Sequence, residues 1–449
     1  PQTPNPKPQT PNPKPQIMVK RTATWDKDIE YWMVAMGTAV GFGCIWRFPY
    51  ILYKNGGAVF LIPYYLLIFT FGIPQMMLET GVGQYFRVSL THMYGQVSKK
   101  FEGIGVMAVL TSFVVVVYYI YIMAYCFLYM WACLVGLPWL QVAEEDMLKA
   151  TKSYYIDNVL ELYPKRDILG GFNYPLLAAI IASWIVVYFC VRKGVEQTGK
   201  IAMFTVLSPY VLLLVMLVRT SLLDGFSQGL IYLFKPDFSK LFTFEIWKDA
   251  MVQVAFQLSV GQGVMFTFAS FRNPSDKLVV PSRFIPILNS LIGMLASIII
   301  FGYLGYYCNK YNLDIRNLEI SGPGLIFITL PACLSTMIYP TMWVFLFFCT
   351  LILIGIDSEF GLVETCACFV EDMHPHFRGK PIPPQMVKAL VCLAGFLCGL
   401  PIATRGGIYV IDLLETFGFA IPASLVILTS IIVWGKPILT QSRRPNTRR

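Results

Sequence analysis

The chain has 449 residues, of which 56% are hydrophobic and only 14% are charged, and its formal net charge is +9. A soluble domain carries about 25% charged residues, so this composition excludes an ordinary soluble globular protein. The basic residues are divided among short segments between hydrophobic runs, which argues against a nucleic-acid surface. The sequence therefore predicts an all-α polytopic membrane protein whose surroundings are a lipid bilayer.

The two ends of the chain differ in composition from the rest. Residues 1–24 form a proline-rich tail in which PQTPNPK occurs twice, and such a composition predicts a disordered, polyproline-like segment. Residues 435–449 form a basic tail.

Ten hydrophobic segments lie between these tails, each near the length of about 20 residues that a helix needs to cross a bilayer. They lie near residues 31–53, 59–85, 104–135, 174–191, 201–220, 250–270, 284–308, 342–370, 386–402 and 408–434. Residues 25–222 hold the first five segments and 247–434 the second five, with an external connector at 223–246.

Glycines interrupt the first segment of each half. They are Gly37, Gly41 and Gly43 in residues 31–53, and Gly261 and Gly263 in residues 251–271. Non-helical backbone survives inside a membrane only where it lines a protein cavity or water. Two helices broken at matching places are typical of a secondary transporter with a site near the middle of the membrane. Close helix packing through glycine is the alternative.

Lysine and arginine are concentrated in alternate connecting segments, for example at Arg87, Arg192 and Arg272, and at both ends of the chain. By the positive-inside rule, these segments and both termini are cytoplasmic. We expect a multi-pass protein of the plasma membrane.

Asp357 is a carboxylate in the middle of a span, where a cation or a proton must accompany it. With the hydroxyl of Ser358 and freed backbone carbonyls, it predicts an oxygen cage suited to Na⁺. A protonated structural acid is the alternative. The three histidines lie outside the spans and no C-x-x-C motif occurs, so we expect no histidine-based metal centre and no enzyme.

Seven motifs of the chain are distinctive: GTAVGFGCIWRFPY (37–50), NGGAVFLIPY (55–64), GIPQMMLETGVGQY (72–85), KGVEQTGK (193–200), PDFSKLF (236–242), AFQLSVGQG (255–263) and GIDSEFG (355–361). Together they resemble the neurotransmitter:sodium symporters, a family with the LeuT-type fold. The resemblance covers residues 20–434 and implies a 5+5 inverted repeat with broken first and sixth helices. The family has twelve spans, so its last two are not among the ten counted here.

The function that this resemblance implies is sodium-coupled symport of small zwitterionic amino acids by alternating access. A transport-inactive member that acts as a sensor or partner subunit is the alternative. Nothing in the sequence predicts an oligomeric state.

The resemblance also implies two sodium sites. The second sodium site would use the backbone oxygens of Gly37, Val40 and Ile354 and the side chains of Asp357 and Ser358. The first sodium site would use Ala39, Asn289 and the residues at positions 44 and 257. There the family has Asn and Ser or Thr, whereas this chain has Cys44 and Gln257. A thiol is a weak ligand for Na⁺, so this site would need the longer Gln257 side chain to turn into it.

The chloride site of the family is only partly matched. Tyr64, Gln253 and Asn289 are in place, but Gln257 and Gly293 replace two serines. Chloride-independent members have Glu at position 293, and that alternative is missing too. Dependence on Cl⁻ therefore stays open.

The resemblance implies that the hydroxyl of Tyr119 holds the substrate carboxylate and that Phe256 covers the ligand as a lid. Gly41 stands where monoamine carriers have Asp, which indicates the amino-acid branch. The residues expected to line the substrate site are Ala39, Gly41, Val115, Tyr119, Phe256, Ser259, Gln262 and Ser358.

Two ion pairs are implied as gates. Arg47 and Glu415 would form the external gate, although a cation at a span end also commonly snorkels to the interface. Asp372 would form the cytoplasmic gate with Arg21, because Thr22 occupies the position where the family has its arginine.

Overall fold

The computed structural model describes residues 21, 23–143, 146–163, 169–315, 318, 322–373, 376–377 and 380–442. Most of the predicted N-terminal tail lies outside these residues, as does Thr22, whereas residues 435–442 of the predicted basic tail are helical.

The described residues up to 234 form ten α-helices. They are α1 Asp28–Ala39, α2 Phe48–Lys54, α3 Leu61–Leu67, α4 Ile73–Phe86, α5 Leu90–Val97, α6 Glu102–Leu134, α7 Met147–Ser153, α8 Tyr174–Val191, α9 Val195–Ser221 and α10 Phe226–Phe234. A π-helical turn, Gly43–Arg47, leads directly into α2, and another, Ile68–Gly72, joins α3 to α4.

Eight more helices follow. They are α11 Phe244–Gln257, α12 Val264–Ala269, α13 Val279–Tyr311, α14 Leu330–Ser335, α15 Pro340–Asp372, α16 Pro384–Gly399, α17 Gly407–Leu413 and α18 Ala420–Ser442. The two-residue strands β1 His376–Phe377 and β2 Lys380–Pro381 pair antiparallel between α15 and α16.

Eight helical stretches among the described residues are long and apolar enough to cross a membrane, and the bent pair Asp28–Ala39 and Gly43–Lys54 makes a ninth. The bend in that pair is 47°. The predicted span 250–270 corresponds to α11 and α12, which are separated by residues 258–263 and are each too short alone. The all-helical membrane class is thus confirmed, whereas the count of ten spans stays a prediction.

The first break is narrower than the glycine pattern predicts, because it spans only residues 40–42. Gly37 lies inside α1, so the prediction that it helps to interrupt the helix is wrong. A Cβ at this position would come within 2.7 Å of Val206 and 2.9 Å of the Asp357 Cβ. Glycine at position 37 therefore permits close packing of α1 on α9 and α15.

Left-handed backbone at three residues produces the second break. Ser259 has a φ of 51°, and Gly261 and Gly263 have φ values of 78° and 85°. Glycine adopts this region without steric cost, which explains why two of the three residues are glycine.

The two breaks face the centre of the helical core. α6 packs along α15, while α1 lies against α9 and α15, and α12 lies against α4. Buried tyrosines such as Tyr121, Tyr125 and Tyr129 fill the interior side of α6. Large apolar side chains remain exposed on α9, including Phe204 and Val218, as expected of a surface that faces lipid.

Candidate functional site

A cavity of about 350 Å³ lies between the two helix breaks. Its lining comes from both breaks, from α6 and from α15, and consists of Thr38, Ala39, Gly41, Gly43, Val115, Tyr119, Phe256, Gln257, Ser259, Gln262, Ser358 and Leu362. The structure brings all eight predicted substrate residues together in this one lining.

Gly41 lies in the cavity wall, close to Tyr119 on α6 and Ser358 on α15. A Cβ at this position would come within 2.6 Å of the Ser358 hydroxyl oxygen and 2.7 Å of the Tyr119 hydroxyl oxygen. No side chain fits there without displacing these groups, so the cavity wall at Gly41 is backbone. The Tyr119 hydroxyl accepts the N–H of Phe42 at 3.0 Å and also bonds the Ser358 side chain at the wall of the cavity.

A second cavity, of about 280 Å³, adjoins the first and shares Gly43, Tyr119 and Phe256 with it. Its lining also includes Arg47 and Glu415, whose charged groups are 3.7 Å apart. The guanidinium of Arg47 lies 5.4 Å from the centre of the Phe256 ring. Phe256 therefore separates the two cavities, and an ion pair lies beyond it.

The other predicted ion pair lies at the opposite end of the first broken helix. Arg21 precedes α1, and its guanidinium is 3.6 Å from the carboxylate of Asp372. The same guanidinium donates to the Cys368 sulfur at 3.0 Å and lies over the Phe271 ring at 4.3 Å. Asp372 also accepts the N–H of Ser89 at 2.7 Å. The one-residue displacement from Thr22 thus does not prevent an ion pair.

The first helix break frees backbone carbonyls beside Asp357. In a continuous helix, the N–H groups of Gly41 and Phe42 would bond the carbonyls of Gly37 and Thr38. Instead, Gly41 donates to Ala39 and Phe42 donates to Tyr119. The freed carbonyls accept the Ser358 hydroxyl, at 3.5 and 3.3 Å.

Asp357 is only 4% exposed, and its carboxylate accepts the hydroxyl of Thr205 at 2.5 Å. No Lys or Arg of the described residues forms an ion pair with it. A buried carboxylate without a cationic partner, next to freed carbonyls and a hydroxyl, is a donor set that suits Na⁺. Of the other predicted ligands, Val40 lies in the break and Ile354 lies one turn before Asp357 on α15.

The predicted ligands of the first sodium site form a hydrogen-bonded group among themselves. Asn289 donates to the carbonyls of Ala39 at 3.1 Å and Gln257 at 2.7 Å. Its side-chain oxygen accepts the Cys44 thiol at 2.7 Å and the Gln257 amide at 3.0 Å. The Gln257 amide also lies 3.3 Å from the Cys44 sulfur.

The predicted chloride residues meet at the same glutamine. The Gln257 side-chain oxygen accepts the Tyr64 hydroxyl at 2.8 Å and the Gln253 amide at 3.3 Å. Gln253 also donates to the carbonyl of Gly43 at 3.1 Å. Tyr64, Gln253 and Asn289 are thus brought together, with the Gln257 carboxamide between them.

The sequence reasoning missed Thr38 and Leu362 in the cavity lining, and two residues that support the site from nearby. Glu79 on α4 is fully buried and accepts the N–H of Gly261 in the second break at 2.8 Å. Thr205 on α9 donates to Asp357. Glu79 could have been found from the sequence, because it is a carboxylate inside the predicted span 59–85. Nothing in the local sequence distinguishes Thr205.

A sequence profile described as the Sodium:neurotransmitter symporter family matches residues 22–436. The chain belongs to this family. It is a family of transporters, which confirms that the chain is not an enzyme.

Three relatives show the extent of the similarity. The human sodium- and chloride-dependent taurine transporter is 33% identical over 418 residues, which cover 88% of this chain and 67% of the relative. The bovine sodium- and chloride-dependent creatine transporter 1 is 32% identical over 424 residues, with the same coverage. The mouse sodium- and chloride-dependent GABA transporter 2 is 31% identical over 415 residues, which cover 88% of this chain and 69% of the relative.

Proposed function

We propose that this protein couples the inward movement of Na⁺ to the uptake of a small zwitterionic amino acid. The observation that carries the proposal is the buried Asp357 carboxylate beside the carbonyls that the first helix break frees. When bound there, Na⁺ would supply the positive charge that the protein itself does not provide. Asp357, Ser358 and the backbone oxygens of Gly37, Val40 and Ile354 would hold it.

The substrate class follows from the cavity at Gly41. Because glycine at this position carries no carboxylate, the wall offers no counter-ion for an amine, whereas the Tyr119 hydroxyl can donate to a substrate carboxylate. The relatives' names mention taurine, creatine and GABA, which are all small molecules with one anionic and one cationic group. Their similarity supports a small zwitterion for this chain.

The architecture that supports this function is the LeuT-type 5+5 inverted repeat. In this arrangement residues 25–222 and 247–434 are the two repeats, α1 with α2 and α11 with α12 are the broken first and sixth spans, and ten spans cross the membrane. We place the protein in the plasma membrane with both termini in the cytoplasm, as the distribution of basic residues favours.

Alternating access would use the two ion pairs at opposite ends of the first broken helix. Arg47 and Glu415 would close the external side above Phe256, and Arg21 and Asp372 would close the cytoplasmic side. Opening one pair while the other stays formed exposes the cavity to one side at a time. The relatives named above are transporters, and nothing in the structure favours a transport-inactive sensor or partner subunit.

The test is uptake of labelled taurine, GABA, creatine and a panel of α-amino acids into proteoliposomes. An inward Na⁺ gradient should drive uptake of at least one zwitterion, and a K⁺ gradient of equal size should not. Asp357→Ala should abolish the Na⁺-driven component because the buried carboxylate is lost.

Asp157→Asn is the matched control, since the Asp157 side chain is exposed and accepts the hydroxyl of Ser153 away from the cavity. It should retain wild-type uptake. Uptake by Asp357→Ala that still depends on Na⁺ would disprove the sodium assignment. Uptake driven by a pH gradient alone would show that Asp357 carries a proton.

A further inference from the structure

The Gln257 side chain lies between two groups of buried side chains with opposite hydrogen-bonding character. On one side, the Tyr64 hydroxyl and the Gln253 amide donate to its oxygen. On the other side, its nitrogen donates to the Asn289 oxygen and lies beside the Cys44 sulfur. All five residues are at most 3% exposed, so bulk water does not compete for these bonds.

The two groups differ in the ion that each would bind. Converging O–H and N–H donors bind an anion, and the carboxamide oxygen presents a partial negative charge to them. Converging side-chain and backbone oxygens bind a cation, and the carboxamide NH₂ presents a partial positive charge to the Asn289 oxygen. One carboxamide therefore satisfies both groups with its two ends.

We propose that the Gln257 carboxamide takes the place of both Cl⁻ and the first Na⁺. Transport by this protein is then chloride-independent and carries one Na⁺ per substrate, at the Asp357 site. The inference rests on the proposed sodium-coupled transport and adds which ions that transport requires, and how many. It distinguishes this chain from the relatives whose names describe them as sodium- and chloride-dependent.

Gly293 on α13 supports the assignment independently. A Cβ at this position would lie 3.2 Å from the Gln257 amide nitrogen and 3.3 Å from the ring of Phe48. These distances are shorter than most real Cβ contacts, so glycine leaves the space in which the longer side chain lies. The two differences from the family, at positions 257 and 293, are therefore structurally linked, because the space left by Gly293 accommodates the Gln257 side chain.

The experiment compares the wild type with the double variant Gln257→Ser/Gly293→Ser, which removes the carboxamide and returns a hydroxyl to each position. Wild-type uptake should be the same in sodium gluconate as in sodium chloride, with one ²²Na⁺ entering per labelled substrate. In gluconate, uptake by the double variant should fall about tenfold, because the Tyr64 hydroxyl and the Gln253 amide lack an acceptor. Chloride should restore uptake because it accepts from these two groups.

Thermal stability of the purified protein provides a readout that does not require transport. Chloride should leave the midpoint of wild-type unfolding unchanged and raise that of the double variant, because a ligand that binds only the folded state stabilises it. Gln84→Ser is the matched control, since Gln84 is also buried but donates to the backbone of Asn273 and Asp276. It should respond like the wild type.

A wild type that needs chloride for uptake, or that chloride stabilises, would overturn the inference. So would two Na⁺ per substrate in the wild type. Absence of Na⁺-driven uptake in either anion would instead refute the proposed function, and the effect of chloride on unfolding would still decide the role of Gln257.

Discussion

The hydroxyl of Tyr119 contacts the backbone of the first helix break and also lines the cavity. It accepts the N–H of Phe42 in the first break, and a Cβ at Gly41 would lie 2.7 Å from it. The tyrosine therefore both stabilises the break and offers its hydrogen to a ligand. Tyr119→Phe removes both of these hydroxyl contacts but keeps the aromatic ring, which stacks on Phe42 with 4.7 Å between ring centres.

Tyr119→Phe should weaken substrate binding without unfolding the protein. The ring packing is retained, while a hydrogen bond to a charged carboxylate, worth about 1.5–3 kcal/mol, is lost. We expect the substrate concentration for half-maximal uptake to rise about 10- to 150-fold. The measurement is the concentration dependence of uptake, with the midpoint of thermal unfolding as a control for folding.

The matching decarboxylated amine provides the second half of this test. In the wild type it should bind far more weakly than the amino acid, and Tyr119→Phe should hardly change its affinity. Equal losses for the amine and the amino acid would mean that Tyr119 acts through the helix break and not through the carboxylate.

At the level of helices, the hydrophobic pattern predicted the long, uninterrupted spans well. The predicted span 174–191 coincides with α8, where Asn173 caps the first turn and Arg192 follows the last residue. The short helix α10 was missed, because it lies in the region predicted as a connector. Local hydrophobicity identifies a span by its length, and a nine-residue helix falls below that limit.

The breaks themselves could be predicted only approximately, since distant residues stabilise them. The first break depends on the hydroxyl of Tyr119, which is 77 residues away, and the second on the carboxylate of Glu79, which is 182 residues away. The same reason limits the prediction of the ion sites. The resemblance named Gln257, but the direction of its carboxamide depends on Tyr64 and on the space at Gly293.

Glu79→Ala should destabilise the second helix break. Its carboxylate accepts the Gly261 N–H and the Gln75 amide, and removing it leaves a buried N–H without an acceptor. That loss costs about 1–3 kcal/mol, so both the midpoint of thermal unfolding and the uptake rate should fall. Glu79→Gln keeps a side-chain oxygen at this position and should retain most of both.

The contrast between the two Glu79 variants is the informative measurement. If Glu79→Gln were as damaging as Glu79→Ala, the charge of Glu79 and not its hydrogen bond would matter. Asp157→Asn, which changes an exposed carboxylate away from the cavity, is a control for carboxylate loss elsewhere in the protein.

For the molecule as a whole, both ion pairs of the first broken helix are formed at once, which keeps the central cavity between two closed ends. A transporter that alternates between two open states must break one pair at a time. Each pair contributes to the free-energy difference between those states, so a substitution in one pair should shift their populations.

Cys368 reports on the end closed by Arg21 and Asp372. It is 1% exposed, and the Arg21 guanidinium donates to its sulfur. Asp372→Asn weakens the ion pair without removing the arginine that covers this thiol. We expect it to raise the rate at which a maleimide modifies Cys368 several-fold, because the conformation open at that end becomes more populated. Mass spectrometry of the labelled protein identifies Cys368 among the cysteines of the chain.

Glu415→Gln, which weakens the pair at the other end, should lower the same rate, because it favours the opposite open state. The midpoint of thermal unfolding should be unaffected in both variants, which controls for general unfolding. If the two variants changed Cys368 labelling in the same direction, the ion pairs would act as structural contacts and not as opposing gates. Opposite changes would be the expected behaviour of a single cavity that opens to the two sides in turn.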